Sequence, residues 1–388
     1  MKAPTTRGRN KVYGQFMKAP TTRGRNKVYG QFMNCPYDRP TVALITCATE
    51  SEGLLALELR RLMPDCVLSW VADGLVRVES DLAFADLSAL VAGNETRGCI
   101  FARHMAPAQV VLPDDASLAQ LCEAVRAMCG RIPAGARWNI HVRDSERRAA
   151  VEAEAEAVAG SERRSRSEPE MIVSVVHADA FYVGAAHAAE CLSTWPGGAR
   201  RFRREEARIS RSEFKLLEAL EVFDAALPKH GTAIDLGAAP GGWTRILLEH
   251  GLDVLAVDPG ELDARLKGNP RMRHVRMTAE RFLDRAPACA IIVNDMRVSA
   301  EQSAHMMASY ANKIGMSSNR SMAGMALPEL GIMTLKLPER GVTSRAVLDL
   351  THRCLDILRG AFADVRARQL FHNRSEVTVI MGRRTECV

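Results

Sequence analysis

The chain lacks an apolar run of the ~18–20 residues that a membrane-crossing helix needs, and no stretch near its start resembles the apolar core of a secretory signal. Its ten cysteines include no CxxC pair, so neither a zinc site nor a disulfide framework is expected. Several, such as Cys47 and Cys289, sit in or beside apolar runs and read as buried thiols. A reducing compartment, the cytoplasm, is the expected setting, with no membrane and no metal as partner. Acid is missing from the first 32 residues. There MKAPTTRGRNKVYGQF occurs twice in tandem and carries eight Lys or Arg. Without them the body holds 44 basic against 46 acidic residues, so the net charge of +6 becomes −2. The basic balance belongs to the leader. A 16-residue exact copy matches no solenoid unit. Residues 1–32 are read as a duplicated, disordered leader, with three origins open: a duplication or start-site artefact with Met33 as the first residue, a basic RNA-binding arm, or a transit peptide.

Hydrophobic residues make up 47% and charged residues 25% of the 388, the balance of a globular protein with two or three cores. Strands are expected at Thr41–Ile45, Val67–Val71, Leu75–Val78, Ile100–Phe101, Trp138–Val142 and Met171–Val176. Helices are expected at Glu52–Leu62, Ser117–Cys129 and Val151–Ala159, with a loop over Ser161–Glu170. This mixture reads as α+β. Pro196, Gly197 and Gly198 then break structure. Arg200, Arg201, Arg203, Arg204, Arg208 and Arg211 follow, either as a solvated linker or as phosphate contacts. From Ser212 onward the pattern is regular. A helix at Glu213–Phe223 precedes strands at 232–236, 253–257, 273–277, 289–294, 331–336 and 376–381, with helices such as Thr244–Glu249 and Ser344–Leu358 between them. Alternation of this kind means an open, mainly parallel α/β sheet, which binds ligands at the carboxyl ends of its strands.

After the first of those strands comes DLGAAPGGW, Asp235 to Trp243, opening a helix. Gly237, Gly241 and Gly242 let the backbone turn tightly and approach a ligand. The helix behind them offers N–H groups to an anion such as a carboxylate. The spacing is neither GxGxxG nor a P-loop. The next strand ends at Asp258, which either accepts from ribose hydroxyls or caps a turn. The two features together suit a ligand made of adenosine and an amino-acid tail.

DLGAAPGGW resembles the S-adenosylmethionine motif of FtsJ-type RNA ribose methyltransferases, and the resemblance runs through the C-terminal domain. It implies an α/β, Rossmann-like fold and S-adenosylmethionine as cofactor, bound through Asp235, Gly237, Ala238, Pro240, Gly241, Gly242, Trp243, Asp258, Thr278 and Asp295. It also implies a catalytic Lys–Asp–Lys–Glu tetrad, whose matches are Lys215 in SEFKLLEAL, Asp295 in IIVNDM, Lys336 in MTLKLP and Glu376 in NRSEVTVI. In that scheme Lys336 is the general base for a ribose hydroxyl. It must be neutral, its proton affinity lowered by burial or by Lys215 as a neighbouring cation. Asp295 orients the lysines, and Glu376 holds Lys215 or the ribose. Singly, each is an ordinary surface charge or loop cap; four in order beside the glycine loop are not.

Within the family, WPGGARRFRREEARISRSEFKLLEALEVF, TLKLP and QLFHNRSEVTVIMGRR are similar to the bacterial RlmM-type branch, which methylates a cytidine ribose in large-subunit ribosomal RNA. That branch implies a ferredoxin-like domain over 33–105 and a THUMP-like RNA-binding domain over 106–190, where ARWNIHVRDSE and MIVSVVHADAFYVGAA fit. A basic linker over 191–211 and the methyltransferase domain over 212–388 complete the expected organisation. The expected partner is large-subunit ribosomal RNA or its precursor. The sequence departs from the pattern at Met277-Thr278, where the family tends to place an acid against the adenine, and in a long, Met-rich stretch at 298–330, either core packing or a cover for the site. Two competing readings stay open: a methyltransferase of another substrate, and a catalytically silent RNA-binding assembly factor.

Overall fold

A computed structural model of the chain describes residues 40–93, 98–202, 208–318, 330–339 and 341–382; the leader, Arg203 and Arg204, and residues 319–329 of the Met-rich stretch lie outside the described residues. The first unit runs β1 (Thr41–Thr46), α1 (Glu52–Leu62), β2 (Val67–Ala72), β3 (Leu75–Ser80), α2 (Phe84–Ala92) and β4 (His104–Pro107). Its sheet is ordered β2-β3-β1-β4, the arrangement of a βαββαβ ferredoxin-like unit. Ile100 and Phe101 do not form the strand that their apolar character suggests. Their backbone N–H groups donate instead to the two carboxylate oxygens of Glu58 on α1, at 2.9 and 3.1 Å, and the strand starts at His104. Both side chains stay buried, so hydrophobicity marked the core here without marking the ladder.

The second sheet is built from β5 (Val110–Pro113), α3 (Leu118–Cys129), β6 (Trp138–Arg143), α4 (Arg148–Ala159), β7 (Met171–His177) and β8 (Ala180–His187), in the order β5-β8-β7-β6 with β6 and β7 parallel. Ser117 caps α3 in a full capping box with Gln120, which satisfies two otherwise orphaned donors.

The third unit runs α5 (Glu213–Val222), β9 (Thr232–Leu236), α6 (Gly242–Glu249), β10 (Asp253–Val257), β11 (Met272–Val275), α7 (Ala279–Leu283), β12 (Ile291–Asn294), α8 (Ala300–Ser318), β13 (Leu330–Lys336), α9 (Ser344–Arg359), β14 (Asp364–Arg368) and β15 (Glu376–Gly382). Its seven strands are ordered β11-β10-β9-β12-β13-β15-β14. The first five follow the Rossmann order, with the switch point between β9 and β12. β15 is antiparallel to both neighbours. Reversal has one consequence for chemistry: the first residue of β15 lies at the edge where parallel strands end, and Glu376 stands directly opposite Lys336. Met307 and Tyr310 of α8 are buried against this sheet, while Glu301, Gln302 and His305 of the same helix are exposed, so one face of the described part of the Met-rich stretch is core. Cys47 and Cys289 are buried too, and burial pushes both thiols up to about 12. Among the described residues no helix is long and apolar enough to cross a membrane.

Burial pushes the Glu58 carboxyl up to about 8, against the pull of the two N–H groups it accepts. An acid whose folded value is raised stabilises below its unfolded value, near 4.5, and that stability is lost as pH climbs towards 8. Chemical denaturation of the wild type is therefore expected to lose about 2–4 kcal/mol between about pH 5 and pH 8 through this group. Glu58→Gln should flatten that slope, and an unchanged slope would count against it.

Candidate active site

β9 delivers its last residues to the loop Gly237–Gly241, and α6 starts immediately after. Gly237 has φ +75°, and a Cβ there would lie 2.7 Å from Met296 Cγ and 3.0 Å from Met296 Cα. Gly241, with φ +113°, would drive a Cβ into Leu266 at 2.2 Å. Only glycine fits at either position. Gly241 is also the N-cap of α6 and brings no side-chain acceptor, so the first turn keeps donors for an external anion. Asp258 fixes the far wall. Its Oδ2 accepts from Ala239 N at 3.2 Å and its Oδ1 from Gly260 N at 2.7 Å, which leaves about two of its four lone-pair sites.

Other residues chosen from the sequence have different duties. Asp235 is buried beneath the loop, where Thr244 Oγ1 donates to it at 2.6 Å; burial raises its carboxyl to about 7. It ties β9 to α6. The Trp243 indole is 2% exposed and donates to the Ser212 carbonyl at 2.7 Å, so its side chain belongs to the core and not to the mouth of the loop. Gly242 lies against the linker, where a Cβ would meet Ser210 Oγ at 2.2 Å. Thr278 caps α7 through its hydroxyl. Ala238 is buried and Pro240 exposed on the loop.

At the adjoining strand ends four charges meet. Lys336 Nζ lies 2.7 Å from Asp295 Oδ1 and 2.7 Å from Glu376 Oε1. Lys215 Nζ, from α5, lies 3.3 Å from Asp295 Oδ1 and 2.6 Å from Glu376 Oε2. Each carboxylate thus bridges both ammonium groups, and all four side chains are only 15–21% exposed. Burial works against the charged form of Asp295, but Lys336 and Lys215 outweigh it and hold the carboxyl below its usual range. Burial likewise works against the Lys336 ammonium, and Asp295 and Glu376 outweigh it, so its proton affinity is raised. This corrects the sequence expectation of a lysine made neutral by burial and by Lys215: Lys215 is spent on the same two carboxylates, and the protein alone keeps Lys336 protonated.

Three supports escaped the sequence reading. Thr334 Oγ1 donates to Asp295 Oδ1 at 2.6 Å. It sits two residues before Lys336 on one strand and so shares its face, which was the available signal. Glu218, fully buried on α5, accepts from Phe371 N, His372 N and His372 Nδ1. Arg103, from the first unit, donates to the carbonyls of Gln369, Leu370 and Asn373. Glu218 and Arg103 together fix the loop that leads into Glu376. The linker arginines are partly committed within the protein: Arg200 pairs with Glu221 at 2.7 Å and covers Trp195 and Phe202, and Arg208 covers Phe214. No cluster of metal-ligating side chains occurs among the described residues.

In the comparison with known families, the FtsJ-like methyltransferase profile matches residues 208–361, a span that includes the glycine loop and Lys215, Asp295 and Lys336 but not Glu376. Residues 208–361 are an FtsJ-like methyltransferase domain. S-adenosylmethionine is the methyl donor that comes with such a domain. The chain is similar to proteins named ribosomal RNA large subunit methyltransferase M. The one from Halorhodospira halophila is 35% identical over 192 residues, 49% of this chain and 51% of that protein. The one from Laribacter hongkongensis is 34% identical over 197 residues, 49% and 52% of the two chains. The chain spans about half the length of these curated relatives. Within the methyltransferase domain, Asp295→Asn is expected to lower the Lys336 proton affinity towards or below the usual lysine value, because the larger of its two opposing charges is gone. A carbon-detected NMR titration of the Lys336 side chain reads this directly; no downward shift would contradict the charge assignment.

Proposed function

We propose that the chain transfers a methyl group from S-adenosylmethionine to a ribose 2′-hydroxyl, that of a cytidine in large-subunit ribosomal RNA. The observation that carries this reading is the shared ion-pair cluster of Lys215, Asp295, Lys336 and Glu376 at the strand ends beside the glycine loop. A hydroxyl is a poor nucleophile and needs a proton acceptor as it attacks. Methyl transfer to a more nucleophilic amine needs no such cluster. The names of the relatives support ribosomal RNA as the substrate class.

The loop fits the donor. Gly237 and Gly241 leave room where a Cβ would clash, the uncapped start of α6 suits its carboxylate, and Asp258 keeps acceptor sites for its ribose hydroxyls. When bound, it supplies an electrophilic methyl group on a positively charged sulfur. The four side chains alone sum to zero charge. With one further positive charge nearby, two carboxylates are balanced by a single ammonium, and Lys336 becomes free to give up its proton. Neutral Lys336 then accepts the proton of the ribose hydroxyl, while Lys215 keeps Asp295 and Glu376 in place. Asp295 and Glu376 hold the Lys336 amine from two sides and so aim its lone pair. The sheets over residues 41–107 and 110–187 serve, in this reading, as the ferredoxin-like and THUMP-like RNA-binding module.

The experiment is incubation with methyl-labelled S-adenosylmethionine and unmodified large-subunit ribosomal RNA, with precursor particles and transfer RNA as further substrates. Label is expected in the ribosomal RNA and on a ribose. Label on a base, or none on any RNA despite donor binding, would sink the proposal in favour of another acceptor or a silent binding factor. Lys336→Arg keeps the positive charge but has no accessible neutral form. It should lower kcat by at least about 100-fold while the donor still binds in calorimetry. Because the protein holds Lys336 above the usual lysine value, the free enzyme's kcat/KM should climb about tenfold per pH unit from neutrality, with no plateau below about pH 10.

A further inference from the structure

β12 ends at Asn294, a fully buried residue that directly precedes Asp295. Its Oδ1 accepts from Met296 N at 3.0 Å, so the amide reaches past Asp295 and closes a tight turn around it. A backbone N–H can only donate, which fixes the orientation of the amide. Nδ2 is therefore the end that donates to Ser303 Oγ, at 3.0 Å, in the first turn of α8. Ser303 is fully buried as well. The backbone of the turn adds a long bond, from Asp295 N to the Leu236 carbonyl of β9 at 3.3 Å.

Two things depend on where this turn lies. On one side is the Asp295 carboxylate, whose Oδ1 takes three donors: Thr334 Oγ1 at 2.6 Å, Lys336 Nζ at 2.7 Å and Lys215 Nζ at 3.3 Å. Hydrogen bonds weaken over a few tenths of an ångström, so both lysines feel any shift of that oxygen. On the other side is the glycine loop. A Cβ on Gly237 would meet Met296 N at 3.1 Å, and this is the same nitrogen that donates to Asn294. Gly237 N donates in turn to the Val257 carbonyl of β10, at 3.0 Å. The loop is thus pinned to β10 and rests against the turn. A buried, satisfied amide ordinarily serves the fold. This one holds the three residues that carry both the cluster's shared oxygen and the backbone under Gly237.

We propose that Asn294, held by Ser303, is a positioning residue for methyl transfer: it fixes the turn over residues 294–296 and thereby the spacing between the Asp295 carboxylate and the glycine loop. It acts through Asp295 and Met296 and does not itself touch donor or acceptor. The inference rests on the reading of the Lys215, Asp295, Lys336 and Glu376 cluster given above. Donor site and proton acceptor are then set by one amide, so loosening it disturbs both together.

The test uses the full chain with Asn294→Ala and, as the milder change, Ser303→Ala. The second removes only the acceptor of Nδ2 and puts a good helix former into α8, so it is expected to fold and decides alone if the first does not. Two readouts need no methyl acceptor, so failure of the proposed reaction and failure of this inference show separately. In the carbon-detected titration, the proton affinity of Lys336 should fall about threefold or more as Asp295 loosens. In calorimetry, S-adenosylmethionine should bind about threefold or more weakly. Thr351→Ala is the control for stability loss alone. Its hydroxyl is fully buried on α9 and donates to the Val347 carbonyl of its own helix at 2.8 Å. It should lower the melting temperature and leave both readouts at wild-type values. In the methyl-transfer assay, Ser303→Ala should lower kcat about tenfold or more with the KM of the RNA unchanged. Wild-type Lys336 titration and donor affinity in folded Ser303→Ala, equal shifts in Thr351→Ala, or an unchanged kcat would each overturn the inference.

Discussion

Two carboxylates shared by two ammonium groups form the interaction on which the rest of the site depends. Taking four charges largely out of water is costly, and only mutual pairing with good geometry offsets it. Each member comes from a different part of the sheet: Lys215 from the helix before β9, Asp295 from the end of β12, Lys336 from the end of β13 and Glu376 from the start of β15. A displacement of any one would strand a charge on the others. The cluster therefore acts as a clamp on the relative placement of α5, β12, β13 and β15, as well as a chemical device. Two carboxylates against two ammonium groups leave the cluster with no net charge, so its acid–base state answers to any charge that arrives beside it.

Glu376 is the member most dependent on its surroundings. The seven residues before β15 follow no regular ladder, and three separate groups hold them. Glu218 takes two consecutive backbone N–H groups, Arg103 takes three carbonyls, and Asn373 Oδ1 accepts from Leu370 N and from Thr378 Oγ1. Gln369 N adds a bond to the Ile100 carbonyl of the first unit. Irregular backbone so close to the core needs this much side-chain bonding, since no strand or helix satisfies it.

The sequence was most legible where periodicity and burial coincide. Helix α1 and strands β9 and β10 fall on their expected residues because each shows one clean apolar face or run. The glycine loop was legible because only glycine adopts φ near +75° and +113° at such close contacts. β14 was missed: its pattern, DVRAR, is that of an edge strand with exposed positions, and Arg366 and Arg368 in it read as surface. Ile100–Phe101 misled for the opposite reason, being fully apolar yet bonded to a side chain instead of a neighbouring strand. Glu218 and Arg103 were invisible because their partners lie 153 and more than 260 residues away, and nothing local marks a charge that will be buried against distant backbone. The sign of the Lys336 shift was misjudged for a related reason. Sequence order placed Lys215 near it but could not show that both carboxylates stand between the two lysines.

Arg103 belongs to the first unit, yet its guanidinium is the fastener for the loop that ends in Glu376. The C-terminal half of this chain is therefore not a portable cassette. A recombinant or natural chimera that exchanged the N-terminal unit would inherit the glycine loop and both lysines intact, and still lack the donor that three loop carbonyls share. The geometry around Glu376 thus depends on the first unit as well as on its own sheet, so the two are constrained to change together.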